Sequence, residues 1–496
     1  MTKRLFQIYA AGLLAAAAAA QSAGSGAIAS RPAAIASRLT ANDLKADVSF
    51  LASDALEGRG TPSRGLDTAA EFIAAQFRRA GLEPAGDEGY FANAAFRTVT
   101  PVAEGLQLTL ETPGGRLAVN TQAMTIQEAA ALDVTGAPVL RISPVNPEQI
   151  TAEQARGKVL VAMLPEGGRE GFAAMRRLTA MAAKAHPALL IVVRSTPQPA
   201  PGNARLREVS AGEQAVPVLA VWDAAAGRAL ESNDEITVSA HIAAPLTTPV
   251  KLHNVIGVLR GSDPLLRNTY LLVTAHYDHL GVRGSGPGDH IYNGANDDAS
   301  GTASVIEVAQ TLAALPERPK RSIVFMALFG EELGLVGSRY YAAHPVFPLA
   351  ATVADLNLEQ MGRTDDNTGP RVGLMNVTGY DYTSIPAMLA QAGQPFGIKV
   401  VKDEAASDAF FARSDNQALA DAGIPAHTLS VGYVFPDYHQ PGDEWPKLDY
   451  ENMAKVDRAV ALAVYEIADS RDVPRWNSEN PKTERYVKAQ QALEGR

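Results

Sequence analysis

Residues 269–281 read TYLLVTAHYDHLG, and the run from Tyr270 to Ala275 carries no charge before the chain reaches His276. A strand that is apolar on both faces belongs inside a sheet covered on both sides. The pattern recurs at Val255–Leu259, at IVFMALF (residues 323–329) and at Val353–Leu358, with helical stretches between, one through Val305 and Leu312 and another through Arg339. Buried strands alternating with helices predict an α/β fold: a three-layer α/β/α domain with a mixed, largely parallel sheet. In such sheets ligands collect outside the carboxyl ends of the strands. This chain places its acidic and imidazole groups at those ends.

Five motifs carry them: AHYDHLG (275–281), GANDDASG (294–301), FGEELG (329–334), NLEQMG (357–362) and DYHQPGD (437–443). His276 closes the first strand, and Asp278, two residues on, lies on the same side by the period of a strand, placed to accept the second imidazole N–H. Asp297 has two oxygens with which to bridge two metals. Adjacent glutamates at a strand end are costly unless solvated or metal-bound. Their side chains point apart, so Glu332 is read as a ligand and Glu331 as the base that takes a proton from water. Glu359 follows another buried strand, and His439 stands in a Pro/Gly loop. Each motif alone has a plainer reading, as a core histidine, a helix cap or a solvated turn. Together they offer two imidazoles and three carboxylates for two zinc ions, with a fourth carboxylate left as base. Asp297, Glu332 and Glu359 with a hydroxide would balance two divalent ions, whereas without metal the cluster repels itself.

The chain has 496 residues, a formal net charge of −10 and 46% hydrophobic residues. That length predicts more than one domain. The negative balance gives no footprint for nucleic acid and no attraction to anionic membranes. With no cysteine, disulfides are unavailable and zinc must be held by nitrogen and oxygen. Residues 1–23 have the order of a signal peptide, Lys3 and Arg4 ahead of an alanine-rich apolar run with small residues at the cleavage point, which predicts a periplasmic or secreted protein. No later stretch is long and apolar enough to span a bilayer.

Residues 38–100 read as the first part of the α/β domain. Thr40 and Asp43 form a capping pair, and a second helix from Leu66 to Ala80 directs Ala69, Phe72, Ile73 and Phe77 inward. Residues 101–249 change to short β-like runs, with His186 and His241 standing alone, and read as an inserted β-rich domain. Residues 250–475 complete the α/β domain, and 476–496 form a charged tail read as peripheral. His279 and His290 read as solvated loop histidines, and His427 as a hydrogen-bonded core residue. Arg413 and Asp415 lie in a segment read as adjoining the site.

In their order, these motifs resemble peptidase family M28, the zinc aminopeptidase and glutamate-carboxypeptidase group. The likeness covers roughly residues 40–100 and 250–470, including LASDALEGRG (51–60) and RSDNQALADAGIPA (413–426). The middle segment resembles the protease-associated domain that many members carry. The resemblance implies that His276 and Glu359 hold one zinc, that Glu332 and His439 hold the other, and that Asp297 bridges them. It further implies Asp278 as the residue orienting His276, Glu331 as general acid/base, Tyr438 as an oxyanion donor and a cis peptide between Asp297 and Asp298. Many members have Asp where this chain has Glu359. The implied activity is hydrolysis of peptides by an exopeptidase, foremost an aminopeptidase. A carboxypeptidase, a glutaminyl-cyclase-like transferase with one zinc and a catalytically silent binding ectodomain stand as alternatives. Oligomeric state is not legible.

Overall fold

The expected strands and helices appear in the computed structural model, which describes residues 31–165, 168–197, 204–209 and 215–495. The expected signal segment lies outside the described residues. The chain divides into two units, one holding the residues up to Ala94 together with those from Leu252 onward, the other Ala95–Lys251.

In the first unit Thr40 caps helix α1 (Ala41–Leu51), its Oγ1 accepting the Asp43 N–H at 3.2 Å. Helix α2 (Arg64–Arg79) starts two residues ahead of the expected Leu66, because Ser63 Oγ accepts the Leu66 N–H. Ala69, Ile73 and Phe77 are buried as expected. Phe72 is only half-buried and stacks on Phe50 of α1, with ring centroids 4.4 Å apart.

Then follow β1 (Leu246–Leu259), β2 (Tyr270–His276), α3 (Ser300–Ala313), β3 (Ser322–Leu328), α4 (Val336–Ala343), β4 (Thr352–Leu358), β5 (Leu374–Val377), α5 (Ile385–Gly393), β6 (Lys399–Val401), α6 (Asn416–Asp421), β7 (Ala426–Ser430), α7 (Tyr450–Asp469) and α8 (Glu484–Glu494). Across the sheet the order is β6-β5-β7-β4-β2-β3-β1. Parallel pairing joins β2 to β3 and β4, β4 to β7, and β5 to β6, while β1 and β5 run antiparallel to β3 and β7. The sheet is therefore mixed and parallel at its centre. Every residue of β2 and β3 is buried, as a strand covered on both faces must be.

Helix α3 packs against β2, β3 and β4, and α1, α2 and α7 join it in that layer. The opposite face is covered by a cluster in which Ile256, Leu272, Val324 and Met326 of the sheet meet Tyr341, Leu419, Trp476 and Tyr486. The charged tail read as peripheral is thus anchored: Tyr486 of α8 is buried and stacks on Trp476 at 4.8 Å. Its apolar contribution is two aromatic rings rather than a periodic stripe.

The second unit holds an eight-stranded sheet. Its centre, Val159–Met163, Leu189–Val193 and Val218–Val221, is parallel. Ala174, Leu178, Met181 and Ala182 of the helix Gly168–Ala185 belong to the core on one face of those strands.

Candidate metal centre

Strand β2 ends on His276, whose side chain has no exposure. Its Nδ1 lies 3.1 Å from the Asp278 carbonyl oxygen and 3.5 Å from the Asp278 carboxylate. The backbone oxygen is thus the nearer acceptor for the Nδ1 proton, which leaves Nε2 with its lone pair. The Asp278 carboxylate has a second duty: Oδ1 accepts the Glu331 N–H at 3.0 Å, and Oδ2 accepts the Thr61 hydroxyl at 3.2 Å. It therefore joins the strand end that carries His276 to the turn that carries both glutamates.

Asp297 sits where the loop after β2 enters α3, and its peptide to Asp298 is cis, as the resemblance implies. Its Oδ1 lies 3.3 Å from His276 Nε2 and its Oδ2 3.1 Å from His439 Nε2. One carboxylate divides its oxygens between two imidazoles. On the second side, Glu332 Oε1 is 3.3 Å from His439 Nε2. On the first, single ligand atoms of His276, Asp297 and Glu359 lie within 4.8 Å of one another. Edges of roughly 3.3 Å are those of a tetrahedron with metal bonds of about 2.0–2.1 Å. His439 adopts the left-handed region, φ 56°, uncommon for a non-glycine residue and a local cost that its position in the cluster explains.

The supporting shell is built from the same motifs. Asp443, fully buried, accepts the N–H groups of Asn296 and Asp297 at 2.9–3.1 Å. Asn296 Oδ1 accepts the N–H groups of Gly362 and Arg363, both at 2.9 Å. Asp298 Oδ1 takes the Gly301 N–H at 2.9 Å and the Gln360 N–H at 3.1 Å, tying the residue after Glu359 to the start of α3. Gly301 makes this closure possible, since a Cβ there would come 2.2 Å from the Leu358 carbonyl oxygen and 2.4 Å from the Asp298 carboxylate. Arg59 is fully buried and donates to the carbonyls of Tyr277, Leu51, Asn293 and Gly294. Arg59 and Asp443 escaped assignment from the sequence. Both stand in quoted motifs, LASDALEGRG and DYHQPGD, but their partners Tyr277, Asn293 and Gly294, and Asn296 and Asp297, lie more than a hundred residues away and are not written locally.

Charge follows this geometry. Burial pulls the His276 imidazole down, but the carboxylates of Asp278 and Asp297 outweigh it and hold it well above the usual histidine value. Burial would raise Asp297, yet His276 and His439 keep it below the ordinary carboxylate range. Glu332, despite burial and the neighbouring Asp297, is held down to about 2 by the imidazoles of His279 and His439. Glu331 is pushed well above the usual value, by burial first and then by Glu359, Asp415 and Glu332. Glu359 is raised to about 7 by burial. Burial, then Asp297, Glu359 and Glu332, raise the Tyr438 phenol, which stays protonated and able to donate. A glutamate poised to hold a proton stands beside one that stays ionised.

Two expectations about histidines divide. His427 is buried with both ring nitrogens partnered, by the Thr383 hydroxyl and the Thr378 carbonyl, each at 2.6 Å. His279 is not solvated: it is buried, with Nδ1 2.8 Å from Glu332 Oε1. The packing that turns it inward comes from Gly294, where a Cβ would stand 2.5 Å from its ring. Asp415 is also buried, against the Ser338 hydroxyl, while Arg413 is exposed and its guanidinium lies over the Phe410 ring. A small pocket opens beside Glu359, lined in part by Gln360, Phe410, Arg413, Ser430 and Tyr433.

The donor set fits zinc. His276 Nε2, Glu332 Oε1 and Glu359 Oε2 are buried without hydrogen-bond partners, though buried polar atoms are nearly always satisfied. Imidazole and carboxylate are the donors zinc accepts in the absence of thiolate.

Comparison with known proteins agrees. Residues 254–464 match the model of "Peptidase family M28". A "Probable zinc metalloprotease" of Pyrenophora teres is 39% identical over 125 residues, 23% of this chain and 24% of that protein. An aminopeptidase of Bacillus subtilis is 26% identical over 255 residues, 50% of this chain and 51% of its own. The matched stretches thus span about half or less of these curated relatives. Among solved structures, an aminopeptidase from Aneurinibacillus sp. strain AM-1 shares the fold with a TM-score of 0.56 and 20% identity, covering 89% of this chain and 97% of its own.

Proposed function

From the premise that residues 254–464 belong to peptidase family M28, we propose that this protein is a zinc-dependent exopeptidase that removes N-terminal residues from peptides, working from the periplasm or outside the cell. The observation that carries the reading is Asp297, whose two oxygens face His276 on one side and His439 on the other. Glu359 completes the first donor set and Glu332 the second. Bound zinc supplies Lewis acidity toward a carbonyl oxygen and toward water.

The protein's own groups do the rest. Glu331, whose burial favours its protonated form, takes a proton from the attacking water at a carboxylate oxygen and returns it to the leaving amine. Asp278 holds the Glu331 backbone and the His276 ring in one register. The Tyr438 phenol donates toward the carbonyl oxygen as negative charge develops there. Residues 95–251, in this reading, are a protease-associated domain.

The test is a digest of peptides with free and acetylated N-termini by zinc-loaded and chelated protein, followed by mass spectrometry. Stepwise N-terminal loss from free peptides only, abolished by chelation and restored by zinc, is the expected outcome. Trimming from the other end would make the protein a carboxypeptidase, and no cleavage would remove the peptidase reading.

A further inference from the structure

Among the described residues three imidazoles are buried, those of His276, His279 and His427. His427 has both nitrogens satisfied, as a structural core histidine should. His276 spends one nitrogen on a backbone carbonyl and leaves Nε2 without a partner. His279 leaves both nitrogens without hydrogen-bond partners. A fully buried imidazole whose close polar neighbour is a carboxylate is costly unless something balances the pair, and Gly294, having no Cβ, leaves room for its ring.

What faces His279 explains the expense. Its Nδ1 stands 2.8 Å from Glu332 Oε1. The same Glu332 oxygen is 3.3 Å from His439 Nε2. Ligand atoms of His279, Asp297 and Glu332 lie within 4.8 Å of one another, and the His279 and His439 rings meet edge to face at 5.6 Å. Glu332 thus stands between the two imidazoles, with Asp297 beside it.

We propose that His279 is a fourth protein ligand of the metal position shared by Asp297, Glu332 and His439. The assignment rests on the two-zinc reading above. Two imidazoles and two carboxylates complete a tetrahedral shell, as in zinc sites that hold metal for structure, whereas the position of His276, Asp297 and Glu359 has three protein donors and an open place, as in sites where chemistry occurs. The two positions are then unequal. The His279 side holds zinc tightly and the Glu359 side exchanges it.

Titration of the metal-depleted full-length chain with zinc against a chromogenic chelator tests this in the wild type, His279→Ala and His279→Gln, with circular dichroism to verify folding. The expected result is two zinc ions of unequal affinity in the wild type, and at least about a tenfold weakening of the tighter one in both variants, with the weaker one retained. X-ray absorption of wild-type protein carrying one equivalent of zinc needs no variant and should report two imidazoles on that ion. One imidazole, unchanged affinities in both variants, or full restoration by Gln, which can donate a hydrogen bond to Glu332 but is a poor ligand, would each overturn the assignment. Uptake of a single zinc by the wild type would instead sink the two-metal reading, and this assignment with it.

Discussion

Glu331 and Glu332 are neighbours in the chain and opposites in their chemistry. Burial and three surrounding carboxylates push Glu331 up, while His279 and His439 hold Glu332 down to about 2. Glu331→Gln should therefore retain zinc, measured by atomic emission, while turnover falls on the order of 10²–10⁴-fold, the range for removing a general acid/base. Retained wild-type turnover would exclude that role. Asp278→Asn should act differently. With the Glu331 N–H and the Thr61 hydroxyl both donating to it, the loss of its charge should weaken zinc binding by about 10–100-fold, as expected for partners of metal ligands. Chelator competition would measure it.

At the scale of elements, Arg59 fastens the turn after α1 to the end of β2 and to the loop that leads to Asp297, through hydrogen bonds to four backbone carbonyls. Arg59→Met would leave those buried acceptors bare, and denaturant unfolding should show a loss of about 3 kcal/mol or more. A second joint lies between α1 and α3, where Asp47 and Glu307 are both buried. Burial raises Asp47 to about 7; burial and the Asp47 charge raise Glu307 to about 8. In the unfolded chain both ionise near pH 4. Between that pH and their folded values the folded state holds more protons than the unfolded one, so stability falls as pH rises. The thermal midpoint of the wild type should drop between pH 5 and 8 by more than that of Glu307→Gln, and equal slopes would refute the account.

For the whole molecule, the candidate metal cluster is where the first unit closes on itself, since its candidate donors come from the ends of β2, β3 and β4, the loop before α3 and the loop before α7. Chelation should lower the melting temperature of that unit by about 5 °C or more, because binding to the folded state is lost. Calorimetry with and without chelator would reveal it. Much of this was legible in the chain. The apolar runs of β2 and β3 specified a sheet covered on both faces, because such strands have no face for water, and the donor residues at or just after the strand ends marked the edge where a site would form. The fate of His279 was not legible, because it shares one loop and one polarity with His290, whereas that of His427 in its apolar run was. The burial of His279 depends on the close approach of Gly294 and of Glu332, which lies in the turn after β3. Likewise the tail around Tyr486 reads as a charged surface segment until Trp476 and the far face of the sheet supply its partners. Strand and helix periodicity is local and survives in the sequence. Burial of a single side chain depends on which distant residues come to surround it, and the tertiary structure alone decides that.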